Sequence, residues 1–157
     1  MNGNDTAVRK KRILAVASGG GHWEQLMLMR PAFDGNQAFF ATTLKGAGDL
    51  AALPHVHIVP DCNRNKPVKA AISALRIALL ILRLRPDVII STGALPGVIA
   101  LAIGRKTGAR TIWVDSIANA EEFSMAGKKA QRHADLWVSQ WPNVAQEEGA
   151  EFLGSVL

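Results

Sequence analysis

The chain has 157 residues, 48% hydrophobic and 20% charged, with 18 Lys+Arg against 13 Asp+Glu and a formal net charge of +5. That length suits one domain with one real core, and the apolar fraction excludes an intrinsically disordered chain. The basic balance suits an anionic partner, whether phosphate, a membrane surface or nucleic acid, without choosing among them.

Residues 1–11 are polar and basic and read as a flexible tail before a single domain over 12–157. The apolar run behind Arg9-Lys10-Lys11-Arg12 is too short for a signal-peptide core, and no stretch approaches the ~20 residues of a membrane span. Ile13 to Ala17 reads as a buried strand, as do residues 37–42, 56–59, 88–91, 111–114 and 136–139. Helical patterns fall between them at 22–33, 46–53, 67–85, 97–107 and 120–133. Strand-then-helix alternation predicts an α/β, Rossmann-like parallel sheet of about six strands with helices on both faces.

In such folds ligands bind beyond the carboxyl ends of the strands. After the first strand comes Ser18-Gly19-Gly20-Gly21-His22. Residues without Cβ let backbone approach a ligand, and the amides opening the next helix favour an anion, so a diphosphate is the natural occupant. The spacing is neither a dinucleotide fingerprint nor a P-loop, which disfavours NAD and ATP. His22 is a candidate phosphate ligand or general base, against a simple helix-end histidine. Thr92 to Gly97 forms a second small-residue loop, in which Gly93 and Gly97 either hold an anion or pack a helix start on the sheet. Asp115, at the end of a strand, is a candidate for binding a sugar hydroxyl, orienting His22 or accepting a proton; a helix cap is the alternative.

The stretch from Lys66 to Arg85 is apolar around most of a helix, and no acid occurs between Arg64 and Pro86. Arg64, Lys66, Lys69, Arg76 and Arg83 accompany the apolar residues, which suits contact with an anionic bilayer; a core helix with outward-reaching arginines is the alternative. Trp141-Pro142 points to a protein interface or a covering segment. Cys62 is the sole cysteine, which excludes an internal disulfide and makes a reducing compartment the default. His55, His57 and His133 lack metal-ligand spacing, so no metal site is expected. Aromatic residues are too few for a nucleic-acid stacking platform.

Ser18-Gly19-Gly20-Gly21-His22, Asp115-Ser116-Ile117, Glu121, Ser124, Gly127-Lys128, Asp135, Gln140-Trp141-Pro142 and Leu153-Gly154 together resemble one family. It is that of the acceptor-binding, membrane-anchoring subunit of the UDP-N-acetylglucosamine transferase that adds the second sugar to dolichol diphosphate. Its bacterial members serve capsule and exopolysaccharide synthesis. The family is similar to the N-terminal half of GT-B enzymes such as the lipid II-forming transferase. The resemblance implies a glycosyltransferase subunit, inactive alone and without a cofactor, that binds a lipid-diphosphate-linked sugar. A partner chain would bring the UDP-sugar. It also implies that Ser18, Gly19, Gly20, Gly21, His22, Gly93 and Gly97 face the acceptor diphosphate, with His22 and Asp115 as catalytic candidates. Glu121, Gln140, Trp141, Pro142, Leu153 and Leu157 would build the joint with the partner. Eukaryotic members usually carry Glu at the position of Asp115 and Arg at that of Asn119, and begin with a membrane-spanning helix. Its absence here implies a bacterial, peripheral protein on the inner face of the cytoplasmic membrane. A non-catalytic scaffold and a soluble sugar-phosphate-binding protein are the alternative readings.

Overall fold

Apolar residues at consecutive positions of the strands send side chains to both faces of one sheet, which is why helices are needed on each. The computed structural model describes residues 9–62 and 65–156. Seven parallel strands form a sheet in the order β3-β2-β1-β4-β5-β6-β7. They are β1 (Arg12–Ala17), β2 (Gln37–Thr42), β3 (Val56–Ile58), β4 (Val88–Gly93), β5 (Arg110–Val114), β6 (Leu136–Ser139) and β7 (Glu151–Phe152). The helices are α1 (Gly21–Leu28), α2 (Ala47–Leu50), α3 (Pro67–Leu84), α4 (Ala94–Lys106), α5 (Met125–Ala130) and α6 (Pro142–Glu148). Leu14 and Val16 face one core with Ile77 and Ile81 of α3, Leu101 of α4, Ala130 of α5 and Val144 of α6. Ile13, Ala15 and Ala17 face the other, with Trp23 and Leu26 of α1 and Ala47 of α2.

The doubly wound α/β architecture agrees with the sequence expectation, and the differences are local. The six expected strands are joined by β7, only two residues long and so below any periodic signal. Residues 22–33 do not form one helix: α1 stops at Leu28 and a 3-10 turn, Arg30–Phe33, follows around Pro31. Residues 120–124 leave the expected fifth helix, because Asp115 binds Ser124 and holds that segment as a loop. Two residues of the expected tail, Arg9 and Lys11, make contacts with the domain. Arg9 pairs with Asp87 at 3.2 Å, the Lys11 amide donates to Asn36 Oδ1, and the Lys11 carbonyl accepts from Gln37. The Arg12 amide, with Arg9 and Lys11 nearby, holds the Asp87 carboxyl below its ordinary range.

Coverage of the second face is uneven. Ile90, Ile112, Val114, Leu136 and Val138 of β4–β6 line an open apolar groove of about 450 Å³, edged by Met29 and by the C-terminal segment Leu153 to Val156.

Candidate functional site

The order of strands reverses between β1 and β4, and their helices leave on opposite faces, α1 over one and α4 over the other. A crevice opens at such a switch point. Both loops of interest meet there. His22 Nδ1 lies 3.0 Å from the Thr92 carbonyl, and Thr92 Oγ1 donates to the His22 carbonyl at 2.7 Å. Since a carbonyl only accepts, the neutral imidazole carries its proton on Nδ1 and presents Nε2 with a free lone pair. Gly93 is required by this contact: a Cβ there would sit 2.2 Å from His22 Nδ1. The next residue, Ala94, has φ 67°, a conformation costing a non-glycine residue about 1–3 kcal/mol and typical of binding sites.

The turn before α1 is open. Gly20 adopts φ 74°, which favours glycine, and a Cβ on Gly20 or Gly21 would meet nothing within 4 Å. Trp23 and Glu24 donate to the Gly20 carbonyl, while among the described residues none accepts from the amides of Gly20, Gly21 or His22. Gly19 is different, because its amide donates to Thr43 Oγ1 at 3.0 Å and its Cβ position abuts Leu44. Ser18 is half-buried at the strand end. The amides of Gly20, Gly21 and His22 thus stand without a partner among the described residues.

Two expectations for this region are corrected. Gly97 is buried, and its missing side chain admits Ser91 and Trp113, whose atoms would lie 1.9 Å and 3.1 Å from a Cβ. It packs α4 on the sheet and does not face the crevice. Asp115 is 2% exposed, and both its oxygens are occupied. Oδ1 accepts from Trp113 Nε1 (3.0 Å) and Ser124 Oγ (2.6 Å), and Oδ2 from Asn119 Nδ2 (3.0 Å) and the Ser124 amide (2.8 Å). It neither orients His22, whose Nδ1 partner is Thr92, nor has an oxygen free for a proton or a sugar. Its role is to clamp the loop from 115 to 124.

The polar centre under this loop was missed from sequence. Gln25, buried on α1, donates to the Asp115 carbonyl at 3.0 Å and accepts from the Ile117 amide. A lone glutamine beside the apolar positions Trp23 and Leu26 was the available signal. Thr43 and the hydroxyl role of Thr92 carry no local signal, since each follows another hydroxyl residue, Thr42 and Ser91, at the end of its strand.

The expected partner residues separate. Gln140 is 1% exposed: it donates to the Asp115 carbonyl, accepts from the Val156 amide and uses its own carbonyl to receive Ser155 Oγ. It therefore holds the C-terminal segment against the sheet and is not a surface contact. Trp141 is half-buried, with Nε1 donating to the Ile117 carbonyl at 2.7 Å. Glu121, Pro142 and Leu153 are exposed, and Leu153 edges the open groove. Leu157 and Arg64 lie outside the described residues.

On α3, Ile77 and Ile81 are buried while Val68, Ile72, Leu75, Leu79 and Leu82 are all exposed. Their alternating spacing of four and three residues makes one continuous outward stripe. Lys69, Arg76 and Arg83 each follow a stripe residue and are exposed, as is Lys66. Arg76 and Arg83 also line a shallow groove with His57 and Leu79, away from the glycine turn. No described helix is long and apolar enough to cross a membrane. No cluster of metal-ligating side chains occurs among the described residues.

No protein-family model matches the chain. Over 98 residues it is 34% identical to the UDP-N-acetylglucosamine transferase subunit ALG14 of Eremothecium gossypii, an alignment covering 55% of this chain and 42% of that protein. The chain thus spans less than half the length of this curated relative. The MurG crystal structure from Acinetobacter baumannii superposes with a TM-score of 0.71 at 15% identity, over 94% of this chain and 44% of that one. The UDP complex of S. aureus MnaA superposes with a TM-score of 0.71 at 11% identity, over 90% of this chain and 43% of that one. The chain therefore has the fold of one half of a GT-B glycosyltransferase, and its sequence is similar to a transferase subunit.

Proposed function

We propose that this chain is the acceptor-binding subunit of a two-chain glycosyltransferase acting on a lipid-diphosphate-linked sugar. The observation that carries the reading is the meeting of the glycine turn with Thr92 and Gly93 at the switch point, where the amides of Gly20, Gly21 and His22 and the Nε2 of His22 have no hydrogen-bond partner among the described residues. The amides and the α1 dipole would hold the acceptor diphosphate. Nε2 of His22 would take the proton from the acceptor hydroxyl as its oxygen bonds to the anomeric carbon and UDP departs. The UDP-sugar would come from a partner chain, consistent with a fold equal to half a GT-B enzyme and with similarity to a protein named as a transferase subunit. The exposed Leu153 and the uncovered groove over β4–β6 offer that partner an apolar seat. We place the pathway in capsular or exopolysaccharide synthesis. The direct test is transfer to a lipid-diphosphate sugar from a panel of UDP-sugars, with this chain alone and with its co-purified partner. Transfer only by the pair is expected. Full activity of the partner alone would leave this chain without a role in the reaction.

The same reading puts the α3 stripe on the inner face of the cytoplasmic membrane. Its apolar residues would enter the headgroup region, while Lys69, Arg76 and Arg83 each contribute about 1 kcal/mol against anionic lipid. Flotation with anionic vesicles at low salt should recover the protein, and recovery should fall as salt rises. The double variant Leu75→Asp, Leu79→Asp should stay in the soluble fraction. If the unmodified chain fails to float at low salt, a soluble sugar-phosphate-binding protein becomes the better description.

A further inference from the structure

The helix that carries His22 is short and loosely bordered. α1 has eight residues, no side chain caps its start, and its last residue, Leu28, edges the open groove over β4–β6. Two buried apolar side chains, Trp23 and Leu26, pack it on the sheet. Apolar contact is non-directional, so those two fix neither the rotation nor the height of the helix closely. Between them along the chain is Gln25, 4% exposed. Its Nε2 donates to the Asp115 carbonyl at 3.0 Å, and its Oε1 accepts from the Ile117 amide at 3.1 Å. A methionine would fill the same space without desolvating an amide, so the glutamine contributes direction more than burial. Its anchor is rigid. The Asp115 carboxylate accepts four hydrogen bonds within its loop, and Gln140 Nε2 donates to the same Asp115 carbonyl at 2.9 Å.

We propose that Gln25 is a positioning residue for His22: it keys α1 to the Asp115 loop, so that the imidazole meets the Thr92 carbonyl with its proton on Nδ1. Its consequence for sugar transfer rests on the reading of His22 as the base; its hold on the imidazole does not. Gln25 follows His22 by three residues, which places both on one side of the helix, a turn apart. β4 and β5 are neighbouring strands. The first turns of α1 are therefore pinned to two adjacent strand ends, at Thr92 by His22 and at Asp115 and Ile117 by Gln25. The His22 contact has little slack. The ring lies so close to Gly93 that a Cβ there would be 2.2 Å from Nδ1, and a hydrogen bond weakens steeply as its geometry opens. A helix released at Gln25 would carry the ring away from the Thr92 carbonyl, and the imidazole would lose the acceptor that selects its tautomer.

The test is the tautomer of His22, read from imidazole nitrogen shifts by NMR on the intact chain at a pH where the ring is neutral. The chain has four histidines, and the signals lost in His22→Gln assign the right one. The parent should show the proton on Nδ1, and Gln25→Met should move it towards Nε2, the form a free imidazole side chain prefers. That variant should fold, because the Asp115 carbonyl keeps its bond from Gln140 and only the Ile117 amide loses its acceptor. Leu26→Ala is the control for packing: it should lower the denaturation midpoint further than Gln25→Met yet leave the tautomer as in the parent. In the reconstituted pair, Gln25→Met should lower kcat about ten- to a hundredfold with KM almost unchanged. A parent-like tautomer in Gln25→Met would overturn the proposal, as would an equal shift in Leu26→Ala. A shifted tautomer with kcat unchanged would support the hold of Gln25 on His22 and remove His22 from the chemistry, so that the base reading fails on its own.

Discussion

Replacing His22 with alanine is expected to lower transfer by the reconstituted pair about 10²–10⁴-fold, the usual contribution of a positioned general base. The loss should fall on kcat, because the amides of Gly20 and Gly21 remain to bind the acceptor. A companion variant tests the geometry rather than the group. Gly93→Ala keeps the imidazole but places a Cβ 2.2 Å from Nδ1 and 2.4 Å from Cε1, so the ring must leave its bond to the Thr92 carbonyl. Activity should drop although every polar group of the site is retained. Near-normal turnover by His22→Ala would withdraw the assignment altogether and favour a scaffold that tethers and activates its partner.

Asp115→Ala should instead destabilise the fold. The substitution strands Trp113 Nε1, the Ser124 amide, Ser124 Oγ and Asn119 Nδ2 around a site that is 2% exposed. Each buried donor left without a partner costs about 1–3 kcal/mol. Even partial rescue by water leaves a loss of several kcal/mol, a large share of the ~5–15 kcal/mol available to a domain. Asp115→Asn keeps the shape but turns an amide N–H towards donors, so an intermediate loss is expected. Chemical denaturation midpoints would measure both. An Asp115→Ala protein as stable as the parent but inactive in transfer would return Asp115 to the chemistry.

The two carboxylate and glycine corrections have a common origin. From the sequence, Asp115 at a strand end and Gly97 in a small-residue loop look equivalent to true site residues, because position along the chain reports only that a residue follows a strand. Whether it faces the crevice depends on its neighbours: Ser124 and Trp113 for Asp115, Ser91 and Trp113 for Gly97. Gln140 shows the same limit. It follows β6 directly, yet its amide is turned inward by the Asp115 carbonyl and the Val156 amide.

The α3 segment shows what patterning does convey. A helix apolar around most of its circumference, with no acid from 65 to 86, has to meet something beyond its own core. Which side chains do so was decided by packing, since Ile77 and Ile81 turn to the sheet and leave Leu75, Leu79 and Leu82 outside.

Local composition by itself determined the parallel α/β sheet, the open glycine turn after β1 and the basic apolar helix, because each follows from short-range rules: buried strands need apolar residues on both faces, positive φ needs glycine, and helical periodicity spans a few residues. Only the tertiary structure decided that Thr92 and Gly93 hold His22 through Nδ1, and that Asp115 is spent on a loop. Those outcomes depend on groups 70 residues apart for His22 and Thr92, whose meeting is set by the reversal of strand order between β1 and β4 and by no pattern within either segment.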